Sequence, residues 1–127
     1  MNLKEMLADY LREEGFLPKE ENFGIAFKCE GINFLFLYDE DDEQYFRLVM
    51  PAIFDINEEN RAAVLEAMNK VNSEMKVVKI YTFNDDSVWL GFEVLVDSTP
   101  VLEDFVPRGV NMLRAARRAF YEAIQQE

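Results

Sequence analysis

The chain has no histidine. That removes the commonest general base and the commonest zinc ligand, and with them every Ser-His-Asp and Cys-His nucleophile system. It has one cysteine, Cys29, so no intramolecular disulfide can form, which fits a reducing compartment. Cys29 lies in a strand-like run between Lys28 and Glu30, the setting of a half-buried structural thiol rather than of an activated thiolate. Five glycines are scattered at positions 15, 24, 31, 91 and 109, and no spacing among them makes GxGxxG or GxxxxGKS/T. Nicotinamide, flavin and nucleotide cofactors therefore have no visible seat, and no cofactor is expected. No apolar run approaches the ~18–20 residues of a membrane span. The start, Met1-Asn2-Leu3-Lys4-Glu5, lacks the basic and long apolar regions of a signal peptide. Low-complexity segments, internal repeats and linkers are absent from the sequence.

Basic residues are also scarce, at 13 against 25 acidic ones, for a formal net charge of −12. A field of that sign repels phosphate backbones and anionic membranes, so neither nucleic acid nor membrane is an expected partner. It suits a soluble cytoplasmic protein and would steer a basic or amphipathic partner inward. The acids do not assemble a recognisable metal site. Asp39-Glu40-Asp41-Asp42-Glu43 has no glycine at the sixth loop position and no flanking helix pair, so it reads as a solvated hairpin tip rather than a calcium loop. Asn84-Asp85-Asp86 reads the same way. Arg108, Arg114, Arg117 and Arg118 form the one basic concentration. It is either a dock for an acidic partner or phosphate, or a helix whose arginines pair with the chain's own carboxylates; the second reading is favoured. With no metal site and no catalytic set, the chain is not expected to be an enzyme.

What the sequence does have is apolar bulk: half of it is hydrophobic, including 11 Phe, 5 Tyr and one Trp. Its 127 residues make a single domain, residues 1–127, able to bury roughly two-thirds of its unfolded surface. Leu3, Met6, Leu7, Tyr10 and Leu11 form one helical stripe, closed by Gly15 and Pro18. Phe23, Ile25, Phe27 and Cys29 alternate on one face of a strand that turns at Glu30-Gly31. Ile32–Tyr38 follows, apolar on both faces, and then Gln44–Phe54, where Pro51 marks an edge or bulge.

Asn57 is the predicted N-cap of a helix carrying Val64, Met68, Val71 and Met75. Val77–Phe83 and Val88–Val96 then form a hairpin. Thr99-Pro100 predicts the start of a last helix, with a kink or break at Pro107, and Val110, Leu113, Phe120 and Ile124 carry its stripe.

The order α-β-β-β-α-β-β-α predicts an α+β domain: a mainly antiparallel five-stranded sheet with helices packed on one face. Trp89 points away from the apolar stripe of its strand. With Leu35, Leu37 and Leu95 it would form a second apolar surface, open if the helices cover the other side. These four are the candidate partner-binding residues. Two alternatives compete: a bent sheet wraps a helix over them, or a bulge shifts the facing by one residue.

The element order resembles the type III secretion chaperone-like fold, and in particular the YbjN-like proteins of bacteria. The resemblance is carried by Asn57–Asp97: a helix ending in Val71-Asn72, then Lys76-Val77-Val78-Lys79, Asp85-Asp86-Ser87-Val88 and Phe92-Glu93-Val94-Leu95-Val96. It implies a homodimer with a surface that binds extended or amphipathic polypeptide, by groove or strand addition. It supplies no catalytic residues. The expected function is a non-enzymatic protein-interaction module. A small-molecule-binding domain, with a pocket between a concave sheet and helices, is the alternative.

Overall fold

A computed structural model describes residues 1–125. Local sequence chemistry sets the ends of the first helix, α1 (Leu3–Glu13). The Asn2 side chain accepts the Glu5 amide at its start. Gly15, at φ +89°, lets the chain reverse so that the Phe16 amide reaches the Leu11 carbonyl. Six strands follow: β1 (Lys19–Glu21), β2 (Gly24–Cys29), β3 (Ile32–Leu37), β4 (Tyr45–Asp55), β5 (Val78–Phe83) and β6 (Ser87–Leu95). Helix α2 (Arg61–Glu74) separates β4 from β5, and α3 (Val106–Gln125) follows β6.

The strands form one antiparallel sheet in the order β1-β2-β3-β4-β6-β5. The sixth strand, β1, is the addition to the predicted five. Its sequence, Lys-Glu-Glu, has no apolar alternation, and only backbone pairing to β2 makes it a strand. Between β2 and β3, Glu30 and Gly31 both take positive φ, as a two-residue hairpin turn requires. The irregularity in β4 falls between Met50 and Phe54, at Pro51 and Ala52, as the proline predicts.

Two helix starts differ from expectation. The α-helix proper begins at Arg61, but Asn57 and Asn60 bond each other's backbone amides, both at 2.8 Å. This is a reciprocal capping box one turn upstream. Thr99 is no cap. Its amide bonds Asp97, and a short 3₁₀ turn begins at Leu102 instead. The chain breaks after that turn, and Pro107 falls in the first turn of α3, where its missing N–H costs nothing.

One face of the sheet and all three helices form a single core: Ile25, Phe34, Phe36, Phe46, Leu48 and Leu90 from the sheet meet Leu3, Leu7, Val64, Met68, Leu113 and Phe120. The helices lie on this face alone, so the other face has no helical cover. No described helix is long and apolar enough to cross a membrane.

Candidate functional site

Strand alternation and register determine which side chains share the helix-free face. Leu35 on β3 pairs Val49 on β4, which pairs Gly91 on β6, which pairs Lys79 on β5. That row crosses four strands. Flanking rows add Arg47 opposite Glu93, and Trp89 opposite Tyr81. Val49 is fully buried without belonging to the helix-side core. Gly91 keeps the floor low: a Cβ there would stand 3.4 Å from the Tyr81 ring and 3.8 Å from Lys79.

Three of the four predicted residues, Leu35, Leu37 and Trp89, line one hollow of about 580 Å³ on this face. Trp89 stacks on Phe83 with ring centroids 4.5 Å apart, and its indole N–H donates to Ser87 Oγ at 2.9 Å. The fourth, Leu95, pairs Tyr45 at the end of β6 and is 78% exposed, outside the hollow. A second hollow of about 650 Å³ adjoins the first through Leu35 and runs past Ala26 and Asn33 to Phe16 and Leu17. Leu17 is 91% exposed.

The structure adds residues that the sequence reading missed. Phe23 was expected on the inner face with Ile25 and Phe27. The chain turns at Gly24 (φ +147°), and Phe23 instead lines the outer hollow beside Leu37. Only glycine fits that turn, because a Cβ would lie 1.9 Å from the Phe36 carbonyl oxygen.

A polar cluster also stands on the face. Glu93 receives the Tyr45 hydroxyl on one oxygen and Lys79 Nζ on the other, the latter at 2.7 Å. Arg47 lies 5.6 Å over the Tyr45 ring, and Lys79 Nζ 5.7 Å over that of Tyr81. Burial alone would raise the Glu93 pKa. The Lys79 and Tyr45 hydrogen bonds and the charges of Lys79 and Arg47 outweigh it and hold the carboxyl below its ordinary value. Burial and the bond to Glu93 push the Tyr45 hydroxyl up to about 12. The signal for this cluster was present in the alternation Tyr45/Arg47/Val49. Its neighbours were not legible, because β4 pairs with β6 rather than with the next strand in sequence.

The sheet edge beside this face is guarded. At the exposed side of β5, the Asn72 amide accepts the Ile80 N–H at 2.9 Å and donates to the Ile80 carbonyl at 3.0 Å. Of the four arginines of α3, Arg114 pairs with Glu30, and Arg117 lies 4.8 Å over the Tyr121 ring.

A family model described as "Putative bacterial sensory transduction regulator", YbjN, matches residues 3–126. The crystal structure of YbjN from E. coli, titled "a putative transcription regulator", is similar at a TM-score of 0.68 and 12% identity, over 96% of this chain and 91% of that one. That of an uncharacterized protein from Methanothermobacter thermautotrophicus is similar at a TM-score of 0.65 and 14% identity, over 97% and 96%. At these identities the likeness shows the fold. No curated protein matches the sequence.

Proposed function

The chain belongs to the YbjN family, and from that premise we propose that it is a regulator-type interaction module, binding a polypeptide partner on the helix-free face of its sheet rather than catalysing a reaction. One observation carries the reading: two open hollows meet at Leu35 and make a continuous, largely apolar surface from Leu17 to Phe83. A surface of that extent suits a polypeptide segment, and uncovered apolar faces mark interaction sites. The proposal keeps the homodimer that the family resemblance implies, as a separate property read by light scattering.

The test is selection of a displayed random-peptide library against the wild type and against Trp89→Glu. Peptides recovered on the wild type that fail on a folded Trp89→Glu support the proposal. Recovery of none, or equal binding to both, removes it. The hollow beside Trp89 also has convergent polar groups and lies within the ~300–1,000 Å³ of small-ligand sites. Its continuity with the second hollow past Leu35 is what favours the polypeptide.

A further inference from the structure

Arg47 is the odd group on the helix-free face. It stands directly across from Glu93 in the β4–β6 register, yet both Glu93 oxygens are occupied by Tyr45 and Lys79. No ion pair to Arg47 exists among the described residues. Its Nε is sealed from solvent and has no acceptor, while the guanidinium borders the hollow formed by Leu35, Leu37 and Val49. This is not for want of carboxylates in a chain with 25 acidic residues. Counting Arg47 and Lys79 against Glu93, the cluster is net positive by one within a molecule of net charge −12.

A planar guanidinium with free donors is a fork for a carboxylate, which it binds through two parallel hydrogen bonds. The apolar walls strengthen such a pair once water is displaced. A second copy of this chain brings a net charge of −12 against a molecule of the same charge, so a foreign polypeptide with one well-placed acid fits better.

We infer that the polypeptide seated on this face carries an Asp or Glu side chain, set within an apolar stretch, that docks on Arg47. The inference rests on the interaction reading above and specifies its partner. The acid supplies an acceptor to the end nitrogens of the guanidinium, which make no hydrogen bond among the described residues, and its apolar neighbours fill the hollows on either side of Leu35. A basic segment, which the net charge alone would attract, is disfavoured at this spot.

The experiment uses the full chain and a displayed random-peptide library. The recovered peptides are expected to share an Asp or Glu flanked by apolar residues. For a synthesised peptide from that set, Arg47→Met is expected to weaken binding about tenfold or more. Changing the peptide's acid to its amide should cost as much on the wild type and nothing further on Arg47→Met. Arg47→Met removes the sealed Nε but also the charge near Glu93 and the contact with the Tyr45 ring, so its folding is verified by thermal melting before binding is compared; Arg47→Lys, with the charge but not the fork, should bind between the two. Recovered peptides without an acid, or undiminished binding to Arg47→Met, overturn this inference and leave the interaction reading standing. Recovery of no peptide overturns both. Dodecanoate binding that depends on Arg47, with no peptide recovered, replaces the polypeptide by a small amphipathic acid.

Discussion

Asn72 closes the edge of the sheet by bonding both outward backbone groups of Ile80, at 2.9 and 3.0 Å. A side-chain amide carries the same donor and acceptor as a peptide unit, so Asn72 occupies the place of a neighbouring strand. An unguarded edge is a template for another chain. Here the last turn of α2 supplies the guard, at the β5 edge.

Asn72→Ala is therefore expected to cost about 1–2 kcal/mol, for two lost hydrogen bonds at a partly solvated site. It should also raise self-association, since Ile80 then offers free backbone groups. Urea denaturation measures the first effect, and light scattering across a concentration series measures the second.

Val77 holds a backbone conformation that β-branched residues avoid, at φ +70°. Its side chain is largely exposed, so little packing compensates. Val77→Gly relieves ~1–2 kcal/mol of backbone strain and loses ~0.5–1 kcal/mol to the freer unfolded chain. The net expectation is a modest stabilisation, read as a higher urea midpoint with an unchanged slope.

Gly24→Ala should act in the opposite direction. The new Cβ meets the Phe36 carbonyl, which is backbone and cannot swing aside, at a φ of +147°. A loss of about 3 kcal/mol or more is expected from overpacking and strain together. Phe23 should lose its place in the hollow as the turn opens, which a thermal melt and the Trp89 emission spectrum would both register.

Glu93 sets a pH dependence. Its folded pKa is held below the ordinary carboxylate value of 4.5, so the charged form is favoured by folding. The stability it contributes is complete above the unfolded value and disappears as pH falls through the lower folded value. Glu93→Gln should be less stable than the wild type at neutral pH, with the gap narrowing below pH 4.5. Tyr45→Phe removes one of the bonds and should move the Glu93 titration upward, as followed by carboxyl-carbon NMR.

Much of this architecture was legible because local chemistry and tertiary structure agree. The α1 stripe with Gly15, the alternation in β2–β4, the Glu30-Gly31 turn and the placing of Trp89 opposite the core all follow from spacing and turn residues. β1 was not legible, because Lys19-Glu20-Glu21 is made a strand by its neighbour and not by its composition. Phe23 was misplaced because one glycine rotates it to the other face. The face itself was foreshadowed by Leu35, Leu37 and Trp89. The Arg47–Glu93–Lys79–Tyr45 cluster required the β4–β6–β5 adjacency, which links residues far apart in the chain. Leu95 has the right alternation but sits beyond the hollow's end.

The central claim, that the helix-free face receives a polypeptide, is tested most directly by the emission of Trp89, the chain's one tryptophan. It lies on that face against Phe83. Titration with a peptide selected on the wild type should shift its emission to the blue and saturate, with the midpoint moved to about tenfold or more higher peptide concentration in a folded Arg47→Met variant. Saturable binding, established by calorimetry, that leaves Trp89 emission unmoved would place the peptide elsewhere and contradict the account.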